Sequence, residues 1–435
     1  MKYVSTNHRS TPVSFAAAIR GAVADDGGLL MPESLPSIPR ALFNNISEMS
    51  LREIAFVVAE TILGDDVPGH TLKAAVDYAF ACDAPLRHLH DNIYALELFH
   101  GPSLTFKDYG ARFMARLLPV MGDRHGGTVR GATTGNTGAA AANGFYKADG
   151  VNVCVLYPRG RLSRSQTSMI TAFGGNVHPI EVAGSIEDCK VMMQKAIADP
   201  ELAPMCLTTA NSLNIGRLIP QIAFAMHAYA RLVALEVPNA SEAHYVIPTG
   251  NMSNVVSASM ARRMGLPMGK IVAATNANNQ VRPLLDGAVA DTTGRPMPTP
   301  APALDMTYPS CWPRLLSLYG GNLDALRADV VAPDPVADDV ISATVNDLRA
   351  RCGYTIDPHG AVAVDCARRA VPADVPAVVF ATGHPAKQLD IMTHITGASM
   401  ELPVQLTRFM AVKRHPVIIP PTLPALRKFL HSINS

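Results

Sequence analysis

The stretch FHGPSLTFKDYGARF, Phe99 to Phe113, sets one lysine, Lys107, between an aromatic residue and an acid. A lysine amine becomes a nucleophile when it is desolvated, because burial lowers its pKa and frees the neutral form. The flanking pattern predicts such a setting. Tyr109, Phe113 and Leu117 fall on one stripe of a helix that ends before Pro119, and Phe106 adds bulk beside the amine. Lys107 then stands at the helix start, where the positive end of the dipole disfavours the ammonium. These residues leave two readings open: a solvated lysine at a helix start, or a lysine that forms a Schiff base with pyridoxal phosphate.

Two loops supply what the second reading needs. In GATTGNTGAAAA, Gly131 to Ala142, polar residues precede a helix whose first turn is small. Free N–H groups at such a start attract an anion, and Thr133, Thr134 and Thr137 add hydroxyls while Asn136 adds a polar handle. The same residues also read as a capped turn opening an Ala-rich helix. In PTGNMSNVV, Pro248 to Val256, Gly250, Ser253 and Asn254 can expose successive N–H groups around a phosphate. Two such loops suit two anionic groups, a cofactor phosphate and a substrate carboxylate.

The elements that position these loops follow from periodicity. The first 90 residues read mostly as helices after one strand-like segment, with SLREIAFVVAETILGDD the clearest, N-capped by Ser50. From about residue 91 strands alternate with helices: VNVCVLYP, KIVAAT and AVVFATG are buried strand runs, and SIEDCKVMMQKAIAD opens on a capping-box pattern at Ser185 and Asp188. The alternation predicts an α/β architecture with mostly parallel sheets, whose ligands bind beyond the carboxyl ends of the strands. We expect residues 1–90 to form a helical cap, 91–120 with 240–435 a large cofactor-binding domain, and 121–239 a small mobile domain. Residues 286–313, rich in Pro, Thr and Asp, read equally as a lid or an insertion loop.

Composition narrows the classes. With 435 residues, 17% charged and a net charge of +1, the chain offers no basic run for nucleic acid, no apolar span for a membrane and no secretory signal. Seven scattered cysteines without a CxxC pair, and histidines without HExxH, predict reduced thiols, no metal site and a cytoplasmic location.

The motifs in order resemble the threonine synthase family. HGPSLTFKDYGARF resembles its HGPT-x-x-FKD lysine motif, and GAVADDGGLLMPESLP its N-terminal segment. GATTGNTG, LYPRGRLSRSQ, TTANSLNIGRLIPQ, PTGNMSN, DPHGAVA and ATGHPAK match later motifs across essentially the whole chain. The resemblance implies the tryptophan-synthase-β type of pyridoxal-phosphate fold (fold type II). It implies an internal aldimine on Lys107, packed beside Phe106. Gly250, Asn251, Met252, Ser253 and Asn254 would hold the cofactor phosphate, Asn136 would face the 3-hydroxyl, and Thr382 the pyridine nitrogen. Thr133, Thr134, Gly135 and Thr137 would bind a substrate carboxylate. Ser103, Arg161 (or Arg159), Ser163, Asn211, Asn214 and Arg217 would surround a substrate phosphate.

The implied reaction converts O-phospho-L-homoserine and water into L-threonine and phosphate, in a monomer or homodimer. The departures concern the substrate more than the cofactor. Ser103 stands for the motif threonine, Cys311 for an asparagine, and Met252–Ser253 for Phe–Gly; a positive φ at Ser253 would be strained. A related pyridoxal-phosphate enzyme with another nucleophile or leaving group, or an inactive binding protein of the same fold, are the alternatives.

Overall fold

The computed structural model of the chain describes residues 1–121, 127–132, 135–292 and 294–434. Near the N-terminus β1 (Tyr3–Ser5) and β2 (Leu30–Pro32) pair antiparallel. The remaining strands are β3 (Leu86–His90), β4 (Ile93–Glu97), β5 (Gly127–Ala132), β6 (Val151–Pro158), β7 (Val177–Val182), β8 (Thr208–Thr209), β9 (His244–Pro248), β10 (Ile271–Ala274), β11 (Val330–Val331), β12 (Ala377–Ala381) and β13 (Val417–Ile419). They form a six-stranded sheet in the order β11-β10-β9-β12-β4-β3 and a five-stranded sheet in the order β13-β7-β6-β5-β8. Every neighbouring pair is parallel except β3 with β4. This is the expected α/β arrangement of two open, mostly parallel sheets with a mainly helical N-terminal segment.

The central strands are apolar because helices cover both faces of a parallel sheet. β12 is buried at every position, and VNVCVLYP becomes β6 with only Asn152 partly exposed. Helices Leu51–Leu63 and Gly69–Ala79 bury one stripe each, and the first is fixed by the reciprocal Ser50–Glu53 capping box. Ser185 and Asp188 form the same device on Ile186–Ile197.

The expected division of the chain needs two corrections. β3 lies before residue 91 but is the edge of the six-stranded sheet, so the strand run begins inside the segment read as helical cap. β13 lies within 240–435 yet extends the five-stranded sheet through Val417–Ile180 and Ile419–Val182, so the chain's end returns to the smaller unit. VII is too short for its sheet to be chosen by its own periodicity; the free edge of β7 chooses it.

One side chain joins three parts of the chain. Arg314 is 0% exposed and donates from Nε to the Leu30 carbonyl (3.2 Å), from Nη1 to Ser212 (2.7 Å) and from Nη2 to Leu213 (2.6 Å). A guanidinium presents its donors in a rigid fork, which an ammonium cannot match. Replacing Arg314 by Met strands buried carbonyls, at a cost of roughly 1–3 kcal/mol each. We expect Arg314→Met to lower the free energy of denaturant unfolding by at least about 3 kcal/mol; Arg314→Lys should recover only part. A loss below about 1 kcal/mol in the Met variant would show that these contacts are not structural.

Candidate active site

Because β4 and β12 are parallel neighbours, the loops leaving their carboxyl ends meet. The Phe106 N–H and the Thr105 hydroxyl each donate to the Thr382 carbonyl at 3.1 Å, and the His384 N–H donates to Leu104 at 3.1 Å. Thr105 and Gly383 form an antiparallel bridge. Thr105 and Phe106, immediately before Lys107, are thereby stitched to Thr382. Helix Lys107–Leu117 starts there, with no side-chain cap at Phe106, and buries Tyr109, Phe113 and Leu117 as the stripe predicts. The Lys107 side chain is half-buried by surface area, but its amine is enclosed by protein. Burial pushes that amine down to about 7, and the positive charges of Arg217 and Lys387 push the same way.

Around Lys107 the charges are specific. Asp108 is 2% exposed; it accepts the Ser103 N–H at 2.8 Å and the Ser103 hydroxyl, and burial raises its pKa. Ser103 therefore serves Asp108, which leaves its hydroxyl committed and not free for a substrate phosphate. Arg217, 3% exposed, donates from Nη1 to the Ala210 carbonyl at 2.5 Å, while its Nε has no partner. Gly110, one turn beyond Lys107, makes room for it: a Cβ there would lie 2.7 Å from Arg217 Nε. Lys387, 2% exposed, donates to the Ser103 carbonyl. Sequence reading passed over Lys387, although a lysine two residues past a Pro in the loop after a buried strand was a visible signal.

The loop after β9, beside β12, carries Gly250–Asn254. The Met252 N–H donates to Thr249 Oγ1 and the Ser253 N–H to Asn251 Oδ1, both at 3.0 Å, and helix Ser253–Arg263 opens without a side-chain cap. The left-handed residue is Met252, at φ 68°, and not Ser253, which is already helical. That conformation costs about 1 kcal/mol, but the Met252 side chain is 0% exposed and its burial contributes roughly 1.5–3 kcal/mol. Packing outweighs strain.

The same loop is braced from behind. A Cβ on Gly250 would sit 3.0 Å from Leu304 Cα, so only glycine lets the two backbones pass. The Ala303 N–H donates to His359 Nε2 at 3.1 Å, and His359 Nδ1 meets Asp357 at 2.6 Å. Because Nε2 accepts, the ring proton is on Nδ1 and is given to Asp357. The Cys311 N–H donates to the Asn251 carbonyl at 3.0 Å, and Asn251 Nδ2 donates to Ser212 at 2.8 Å. Residues 299–311, within the stretch read as lid or insertion, are thus a buttress, pinned also by Thr299–Asp305 and Asn276–Asp305 at 2.7 and 2.8 Å.

From the five-stranded sheet, the loop after β5 leads into helix Asn136–Gly144, with Gly135 at φ 125°. Asn136 Oδ1 is buried without a partner, as is Asn254 Oδ1. Thr137 is half-buried in that first turn; Thr133 and Thr134 lie outside the described residues. Ser163 caps helix Arg164–Thr171 in a box with Gln166, and Arg161 beside it is exposed. Asn211 accepts the Leu213 N–H at 2.9 Å. Asn214 differs from its expected role: Nδ2 donates to Ile19 (2.6 Å) and Thr209 (3.1 Å), Oδ1 accepts from Gly216 (3.0 Å), and the side chain is structural.

These groups fit pyridoxal phosphate. An enclosed amine near neutrality, an uncapped helix start beside a left-handed turn, and an orphaned Asn136 carbonyl oxygen are the features that its aldehyde, phosphate and 3-hydroxyl require. A cavity of about 430 Å³ opens at this junction, lined by Glu97, Phe99, His100, Leu104, Tyr354 and His384 among others; Lys107 does not line it.

Comparison with known proteins agrees. Residues 2–80 match the family model of the threonine synthase N terminus, and residues 80–383 that of pyridoxal-phosphate dependent enzymes. The chain is 33% identical to threonine synthase of Haemophilus influenzae over 94% of each chain. It superposes on the crystal structure of threonine synthase from Escherichia coli with a TM-score of 0.90 at 30% identity, covering 99% of this chain and 100% of that one. The pyridoxal-phosphate-bound threonine synthase from Brucella melitensis gives 0.91 at 29% identity over 100% and 99%. With Lys107 at a helix start beside the loop after β12 and similarity over the full length, the chain belongs to the threonine synthase family of pyridoxal-phosphate-dependent enzymes.

Proposed function

We propose that this chain converts O-phospho-L-homoserine and water into L-threonine and phosphate, with Lys107 as the lysine that binds pyridoxal phosphate. The observation that carries this reading is the place of Lys107, at a helix start directly after the Thr105–Phe106 segment bonded to Thr382, where burial and nearby positive charge lower its amine. When bound, the cofactor supplies an electron sink that makes the Cα–H and Cβ–H bonds of an amino acid acidic.

The chain's own residues do the rest. Gly250–Asn254 and the start of helix Ser253–Arg263 would hold the cofactor phosphate, with Asn136 Oδ1 accepting the 3-hydroxyl proton and the Thr382 hydroxyl facing the ring nitrogen. A hydroxyl there holds no charge, unlike a carboxylate. Lys107 Nζ would be the base that takes the Cα proton and returns it. Thr133, Thr134, Gly135 and Thr137 would orient the substrate carboxylate. Arg217, with its orphaned Nε, is the best supported partner for the departing phosphate, joined by Arg161, Ser163 and Asn211, all from segments that follow strands of the five-stranded sheet.

Three outcomes test this. O-phospho-L-homoserine should yield threonine and phosphate in equal amounts; phosphate without threonine would favour a related enzyme with a different second step. Borohydride should fix the cofactor's mass on Lys107, and Lys107→Ala should lose both that adduct and turnover, by roughly a thousandfold or more. An adduct on another lysine would sink the assignment. The neutral amine accumulates as pH rises through about 7, so cofactor uptake should climb about tenfold per pH unit below that and level off. A rate still climbing at about pH 9 would mean an ordinary lysine.

A further inference from the structure

Lys387 has no part in the reading above, yet it is one of the costliest side chains in the molecule to bury. It sits in the turn Pro385–Gln388 that follows β12, 2% exposed. Its Nζ donates to the Ser103 carbonyl and lies 3.9 Å from Met169 Sδ on helix Arg164–Thr171 of the five-stranded sheet's layer. It therefore touches the Lys107 loop and the opposite half of the molecule at once. A surface ammonium would satisfy neither requirement, and a tether alone would need no charge.

The charged neighbours decide what the charge does. Burial pushes Lys387 down to about 8, so it keeps its charge at neutral pH, and Asp108, on the Lys107 helix, and Asp357, at the start of helix Pro358–Ala370, partly offset that by attraction. Arg112, one turn along, acts on Asp108. His384 on the same turn is repelled by Lys387 and faces His100 and Glu97. Arg217, from helix Ile215–Leu218, approaches Lys107 from the other side. Burial does most to lower the Lys107 amine, and the positive charges of Arg217 and Lys387 push the same way.

We propose that Lys387 is a positioning residue of this enzyme: its buried ammonium ties the Ser103 carbonyl, in the loop that leads to Lys107, to the turn after β12 and to Met169 of the opposite layer, and places a positive charge in the Lys107 cluster. The inference rests on Lys107 being the cofactor-bearing lysine, and the two can fail separately. Removing the charge removes a repulsion, so Lys107 should hold its proton to higher pH.

The test uses the full-length chain freed of cofactor, pulse-acetylated with acetic anhydride from about pH 5 to about pH 10, with Lys107 labelling read by peptide mass spectrometry. The parent should label half-maximally near pH 7. Lys387→Met and Lys387→Gln should move that midpoint up by roughly half to one pH unit, cutting labelling at neutral pH about two- to fivefold. Gln keeps a donor for the Ser103 carbonyl and so separates charge from tether. Lys387→Arg keeps the charge and should leave the midpoint in place. An unmoved midpoint in both neutral variants, an equal shift in the Arg variant, or loss of the folded circular dichroism spectrum in both neutral variants overturns the proposal. Borohydride fixation of cofactor in the parent reports on Lys107 alone, so a missing adduct with a shifted midpoint would indict the functional reading and not Lys387.

Discussion

A lysine amine held among other positive charges, away from water, is the condition on which this site is built. Lys107, Arg217 and Lys387 gather about one buried carboxylate, Asp108. Buried charge of one sign is expensive, and the cluster can relieve it by leaving one amine neutral or by admitting an anion. A phosphate-bearing cofactor and a phosphorylated substrate offer the second route, and the neutral Lys107 amine is the first. The same imbalance favours a neutral amine at Lys107 and an anionic neighbour.

Backbone pairing and buried side chains together hold the cluster in place. Leu104–Phe106 and Thr382–His384 exchange hydrogen bonds at the edge where β4 and β12 end. Beyond β9, next in the sheet, the Gly250–Asn254 loop leans on residues 303–304 and 311, with Ala303 held by His359 and Asp357, while Arg314 fixes Ser212, the partner of Asn251. Rigid supports of this kind keep a reactive group within reach of its partners without asking the reactive group to pack itself.

The departures from the family pattern make sense against this frame. Met252 accepts a left-handed backbone because its side chain fills the core. Ser103 needs only a hydroxyl, which it gives to Asp108. Cys311 braces Asn251 through its main-chain N–H, and its thiol lies 3.6 Å from the Ser212 carbonyl, so an amide side chain is dispensable for the brace.

Much of this was legible in the residues. Helical and strand periodicity placed Lys107 at a helix start, VNVCVLYP in a buried strand and Ser50 and Ser185 at helix caps, since each depends on a few adjacent residues. Motif order identified the family and with it the cofactor. What local pattern could not carry was contact between distant segments. It missed that β13 joins the other sheet, that Asn214 and Ser103 are committed to structural bonds, and that Lys387 sits buried beside Lys107. Residue type and spacing are local properties and determine which groups can react; burial, hydrogen-bond partners and the sum of nearby charges arise only when strands far apart in the chain lie side by side, so the tertiary structure alone decided which of those groups are free to do so.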